Sequence, residues 1–247
     1  VSLQLQMIGT GSAFAKKYFN NNALWTCSGF TLLVDAGNTA PRALHELNMK
    51  PDELDAVLIT HLHSDHVGGL EELALQMRYV YGRKLRLLLP AALEAPIWEH
   101  TLKGGMENTG EHLNRLADYF DVELLEEGRP SEIHTGFRIE IIRTPHIAGK
   151  PSFSLFVNDT IFYSADMIFQ PELILNEVVG QRECRHIFHD CQLEGPGVVH
   201  AALEELLTLP ESVQSRIRLM HYGDSMPAYV GKTGKMSFIK QHQIYTL

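Results

Sequence analysis

The stretch THLHSDHVGG, residues 60–69, places three histidines and an aspartate within six positions, directly after the apolar run AVLI. An apolar run of that kind reads as a buried strand, and VGG followed by LEELALQM reads as the start of a helix. The donors therefore crowd a strand-to-helix loop. His61 and His63 are two apart and point to the same side of a strand end, while Asp65 and His66 fall in the turn that opens the helix, so one loop can feed two adjacent sites. Neutral imidazole and carboxylate suit zinc and related divalent ions. A helix-capping role accounts for one histidine in such a loop but not for four donors.

The surrounding pattern is layered α/β material. Strand-like segments LQLQMIG, FTLLVDAG, LDAVLIT and KLRLLLP alternate with helix-like PRALHELN and GGLEELALQMRYVYG. After an amphipathic middle, roughly 93–119, the alternation returns. FRIEIIRTPH, PSFSLFVND and TIFYSAD read as strands, then come helix PELILNEVV, strand RHIFHD, helix VVHAALEELLTL and strand RIRLMHYG. No Pro/Gly/Ser-rich linker or repeat separates the halves. The expectation is an α/β fold spanning residues 1–247 as one domain, with two sheets packed face to face and helices outside.

Composition narrows the function classes. A net charge of −9 argues against a broad basic face gripping a long nucleic acid, though not against a small phosphate ligand. Hydrophobic residues at 45% and charged residues at 21% are those of a folded domain. No apolar run is long enough to cross a bilayer, and VSLQLQMIGTG lacks the pattern of a signal peptide, so a cytoplasmic location without membrane partners is expected. Cys27, Cys184 and Cys191 are odd in number and lack paired spacing, which fits reduced thiols.

Thirteen histidines is a high count. RTPHIAG, YSADM and LMHYGD each set a His or Asp just after a strand, at His146, Asp166 and His221. Each alone could cap a turn; their order after the 61–66 cluster is the stronger signal. HLHSDH followed by lone His, Asp and His resembles the metallo-β-lactamase superfamily over nearly the whole chain. The resemblance implies an αββα sandwich of two mixed sheets with a dinuclear centre at one edge. It implies that His61, His63 and His146 hold one ion, that Asp65, His66 and His221 hold the other, and that Asp166 bridges them. The ions would be two divalent cations, with zinc preferred and manganese the alternative. Their four positive charges exceed the two ligand carboxylates, so the centre would draw an anion, and paired metals activate water against phosphodiesters. Asp35 in LLVDAG matches an aspartate that the superfamily places behind the metal loop. Asp in place of Cys at 166 points away from the true β-lactamases, toward phosphodiesterases and glyoxalases.

IFHDCQLEGPGVVHAALEEL resembles the tRNA 3′-processing endonucleases, with His189 and Asp190 in place of their His-Glu pair and His200 as their second histidine. The resemblance implies that Asp190 and His200 form a general-acid pair, which with Asp65 completes the catalytic candidates. Asp replaces Glu, however, and Val199-His200-Ala201 departs from the Gly-His-Ser pattern. The long basic arm of the tRNA enzymes is also missing, because only IAGKPSFSLFVNDTIFYSA, enough for a hairpin, separates His146 from Asp166.

GTGSAFAKKYFNNNAL, THLHSDHVGGLEELA and HDCQL together resemble the anti-Pycsar proteins, cyclic nucleotide phosphodiesterases of phages and bacteria. This implies hydrolysis of 3′,5′-cyclic mononucleotides, including cyclic UMP and cyclic CMP, by a homodimer. Tyr18, Phe19 and Asn22, on the loop after the first strand, are the candidates for base contacts. The alternatives are an RNA 3′ endonuclease, a glyoxalase II-type thioester hydrolase, which leaves Asp190 and His200 unexplained, and a non-catalytic nucleotide-binding regulator.

Overall fold

The computed structural model describes residues 2–247. β1 (Leu3–Gly9), β2 (Asn22–Cys27), β3 (Phe30–Val34), β4 (Ala56–Leu58), β5 (Leu85–Pro90) and β6 (Phe120–Leu125) form most of one sheet. β7 (Ser131–His134), β8 (Phe137–Arg143), β9 (Phe153–Val157), β10 (Ile161–Tyr163), β11 (His186–Asp190), β12 (Ile217–Met220) and β13 (Ser237–Phe238) form the other. The last strand, β14 (Ile244–Thr246), returns to the outer edge of β1, so each sheet has seven strands.

Both sheets follow one plan. From β14 through β1 and β2 to β3 the pairings are antiparallel, and from β3 through β4 and β5 to β6 they are parallel. From β7 to β10 they are antiparallel, and from β10 to β13 parallel. The parallel strands need helical crossovers, and α1 (Ala40–Glu46), α2 (Ser64–Val67) and α3 (Leu70–Tyr79) lie between β3 and β5. Their apolar composition follows from being covered on both faces: AVL of β4 is wholly buried.

The inner faces of both sheets share one core. Trp25 of β2 meets Tyr163 of β10 and Phe188 of β11 edge to face, with ring centroids 6.2 and 6.0 Å apart. A second apolar cluster, including Ile174, Val178, Leu206 and Val213, covers the outer face of the second sheet.

The αββα expectation matches this architecture, and three local expectations change. NALWTC forms β2, unremarked in the sequence because a run of three asparagines opens it. PELILNEVV contributes to a π-helix, Leu173–Gln181, rather than an α-helix. The helix expected over 198–209 is reduced to Leu203–Leu206. There the Glu205 carboxylate accepts a hydrogen bond from the Ala202 N–H (2.9 Å), which fixes the helix start at 203, and residues 198–199 are β-branched valines. His200 therefore stands on an irregular strap, tied to the loop after β11 by hydrogen bonds from Gln192 N–H to the Ala201 carbonyl and from Leu203 N–H to the Gln192 carbonyl.

Candidate metal centre

Strand direction assembles the site. β8 and β10 both run antiparallel to β9, and β10, β11 and β12 are mutually parallel, so their C-terminal ends share one edge. His146 follows β8, Asp166 follows β10, Asp190 ends β11 and His221 follows β12. On the other sheet Asp35 follows β3 and the 61–66 loop follows β4. These ends flank the place where each sheet changes from antiparallel to parallel pairing, the crevice where open α/β sheets bind ligands.

All seven expected ligands meet there. His63 Nδ1 lies 3.1 Å from both His61 Nε2 and His146 Nε2. Asp65 Oδ2 lies 3.2 Å from His66 Nε2 and 3.1 Å from His221 Nε2. Asp166 Oδ2 stands between the two groups, at 3.2 and 3.3 Å from His66 and His221 and at 3.6 and 3.8 Å from His61 and His146. The donors thus fall into two sets that share Asp166, either of which could hold a metal ion.

The donor atoms fit metal ions better than they fit one another. Ligands about 2.0–2.1 Å from a tetrahedral zinc stand about 3.3 Å apart, close to the spacings seen here. Three bare imidazole nitrogens facing each other cannot all hydrogen-bond. His66 Nε2 and Asp166 Oδ1 are buried with no hydrogen-bond partner, an arrangement that costs free energy without a cation to satisfy it. Imidazole and carboxylate without thiolate suit zinc or manganese.

Surrounding residues set the histidine tautomers. Thr60 donates its hydroxyl to Asp35 Oδ2 (2.8 Å) and its N–H to Oδ1 (2.8 Å), which leaves its oxygen to accept from His61 Nδ1 at 3.1 Å. His66 Nδ1–H donates to Asp35 Oδ2 at 2.8 Å, and His146 Nδ1–H to the Val199 carbonyl at 2.6 Å. All three Nε2 atoms are then bare toward the centre. Asp35, Ala165 and His221 have φ values of 63°, 50° and 56°, left-handed backbone that L residues adopt at a cost and that swings the adjoining donors inward. A Cβ on Gly37 would overlap the Asp65 carbonyl, so the loop closes only over glycine.

Electrostatics distinguish the donors. Burial, together with the neighbouring imidazoles, pulls His61 well below the ordinary histidine range and His63 to about 4; burial also lowers His146. Those rings are neutral and ready to ligate. Burial opposes charge on Asp166, but His221, His66 and His61 outweigh it and hold the carboxyl well below its ordinary range. At His66 burial is likewise outweighed, by Asp166, Asp35 and Asp65, and the pKa is raised well above normal. In the absence of metal a proton on His66 balances those carboxylates.

Asp190 and His200 also meet: His200 Nδ1–H donates to Asp190 Oδ2 at 2.9 Å, and Nδ1 lies 3.9 Å from Asp166 Oδ2. Asp190 is buried and accepts further bonds from the Ser164 hydroxyl and the Met167 N–H, both at 3.3 Å. Burial lowers the His200 pKa, but the Asp190 hydrogen bond and the charges of Asp166 and Asp190 outweigh it, for a net rise. His189 backs this pair, its Nδ1 lying 2.8 Å from the Asp190 carbonyl and 3.1 Å from Asp190 Oδ1.

The three residues expected to contact a base take different places in the structure. Asn22 is buried, its oxygen accepting from Gly37 N–H (3.0 Å) and its amide donating to the Asn21 and Asp65 carbonyls, so no amide edge is free for a base. Tyr18 packs on Tyr222, and Phe19 stacks with His242. The aromatic of this loop that borders the centre is Phe14, which lines a cleft of about 480 Å³ together with His200 and His221. The sequence points to Tyr18 and Phe19 and not to Phe14, because which ring of a loop faces outward leaves no mark in hydropathy. A second cleft, about 370 Å³, opens on the opposite side beside His61, His63 and His146.

Two sheets with a shared pairing switch, and donors gathered at their common edge, are the architecture of the metallo-β-lactamase fold. The metallo-β-lactamase fold protein YhfI from Bacillus subtilis superposes over 100% of both chains with a TM-score of 0.78, at 16% identity. Within that fold the chain belongs to the anti-Pycsar Apyc1 family, whose model, described as Anti-Pycsar protein Apyc1, matches residues 3–245. The Anti-Pycsar protein Apyc1 of Paenibacillus xerothermodurans is 56% identical over 100% of this chain and 98% of its own length. That of Bacillus phage BSP38 is 41% identical over 99% of this chain and 98% of its own.

Proposed function

We propose that the chain, acting as a single hydrolase domain, is a metal-dependent phosphodiesterase that opens 3′,5′-cyclic mononucleotides to linear monophosphates. Cyclic UMP and cyclic CMP are its expected substrates, with cyclic AMP and cyclic GMP also accepted, and the reaction would counter cyclic-pyrimidine antiphage signalling in the cytoplasm. Membership in a family whose members are called anti-Pycsar proteins supports the biological role. The chemical reading rests above all on one observation: the hydrogen-bonded His200–Asp190 pair beside the carboxylate common to both donor sets.

When bound at the seven donors, two divalent ions, zinc or manganese, would supply positive charge for the phosphate and lower the pKa of water. The remaining work falls to the chain. Asp190 holds His200 by Nδ1, so Nε2 is the atom free to carry a proton to the departing ribose oxygen. The raised pKa of His200 keeps that proton available near neutral pH. Asp65 and Asp166 keep the donor array anionic, and Asp35 and Thr60 hold the rings in register. The short β9–β10 turn, in which Asn158 and Asp159 adopt φ of 46° and 60°, leaves no arm for a tRNA. A homodimer is the proposed working state.

The test is parallel incubation of metal-loaded protein with cyclic UMP, cyclic AMP, a tRNA precursor and S-lactoylglutathione. Cyclic nucleotide turnover is expected; cleavage of the tRNA or thioester alone overturns the proposal. His200→Ala should retain metal and lose about 10²- to 10⁴-fold in rate.

A further inference from the structure

The loop between β1 and β2 presents an aromatic ring with no role in the fold. Phe14 is 88% exposed, the most exposed of the large apolar side chains among the described residues. It sits at the tip of a turn closed by a hydrogen bond from Ala15 N–H to the Ser12 carbonyl (3.1 Å). The loop itself is held firmly. Ser12 N–H donates to the Tyr222 carbonyl (3.0 Å), Gly11 N–H to the Phe19 carbonyl (2.8 Å), and the Asp224 carboxylate accepts from the N–H groups of Lys16 and Lys17 (3.0 and 2.8 Å). A ring kept in water on a tethered turn is preorganised for a ligand rather than for packing.

Which ligand part it meets follows from the acid. Both ester oxygens of a 3′,5′-cyclic phosphate belong to the same ribose, so the leaving oxygen brings the sugar to the side of the group that protonates it. His200 and Phe14 line the same cleft, whose volume of about 480 Å³ lies in the range of small-ligand sites. The cleft beside His63 carries His100 and Lys150, but neither is hydrogen-bonded to a carboxylate of the centre as His200 is to Asp190.

We propose that Phe14 is the platform on which the nucleobase stacks, and that the cleft between Phe14 and His200 holds the nucleoside. The inference rests on the phosphodiesterase reading above. Every base has a π-face, so recognition by stacking tolerates pyrimidines and purines alike.

The experiment compares Phe14→Ala and Phe14→Trp with the parent, metal-loaded, on cyclic UMP, cyclic AMP and the 3′,5′-cyclic phosphate of methyl riboside, which has no base. Loss of one stacking contact raises KM about 5- to 150-fold for both nucleotides, with kcat little changed. Phe14→Trp restores KM, and the baseless substrate does not distinguish the proteins. A second readout is optical. Trp25 and Trp98 are buried, so uridine monophosphate quenches the indole introduced by Phe14→Trp while leaving parent fluorescence unchanged. An unchanged KM in Phe14→Ala, an equal loss on the baseless substrate, or no quenching overturns the platform while leaving the hydrolase reading intact. A parent protein inert toward every cyclic nucleotide overturns both.

Discussion

The donor set of His61, His63 and His146 and that of Asp65, His66 and His221 share Asp166, yet the protein holds them differently. In the second set every side chain is nearly or fully buried, and His66 is fixed from behind by the equally buried Asp35. The first set is all imidazole and opens onto a cleft through His63, which is only half-buried. Its outer bonds go to neutral groups, the Thr60 hydroxyl and the Val199 carbonyl. Carboxylates confined without water need a cation; neutral imidazoles at a solvent edge do not. The buried set should therefore retain its ion and the open set exchange it, so that a chelator removes metal in two phases with the open site emptied first.

The largest test addresses what the sets share. Asp166→Ala removes the carboxylate that belongs to both donor sets, and metal content measured by elemental analysis should fall at both sites, with activity reduced to background. Retention of one full equivalent would mean that the sets are independent.

A second test separates them through stability of the metal-free protein in urea. His66→Ala leaves Asp35 buried without its charged partner, a loss of about 3–5 kcal/mol for a broken buried pair. His63→Ala trims a half-buried ring among other imidazoles and should cost within about 1 kcal/mol. Equal losses would refute the contrast between a buried and an open half.

The same contrast explains what could be read from the residues alone. Four donors of the 61–66 loop are contiguous, so spacing exposed them, and His146, Asp166 and His221 were visible because each ends an apolar run. Asp35 was placed behind the loop by resemblance, but its hold on His66 depends on β3 lying beside β4, a tertiary fact. Thr60 adjoins the cluster and signalled nothing, because a hydroxyl's role depends on what faces it. Loop orientation was the hardest to foresee: Tyr18 and Phe19 turn inward and Phe14 outward, and neither hydropathy nor period distinguishes them. Helix periodicity over 198–209 was likewise outweighed by the Glu205 bond to Ala202 and the pairing of the strap with Gln192.

The smallest effect gives the most selective test. In Asp35→Asn the shape is kept, and one amide oxygen can still accept from the Thr60 N–H. The amide nitrogen then faces His66 Nδ1 and can only donate, which forces the ring to carry its proton on Nε2, the atom aimed at the centre. The opposite amide orientation restores the His66 bond but sets two donors, the amide and the Thr60 N–H, against each other. Either way the buried set is disturbed while His61, His63 and His146 keep their positions. Metal titration should show a loss of about 10- to 100-fold in affinity at one site and none at the other. Equal weakening at both sites would mean that Asp35 supports the loop as a whole rather than the tautomer of one ligand.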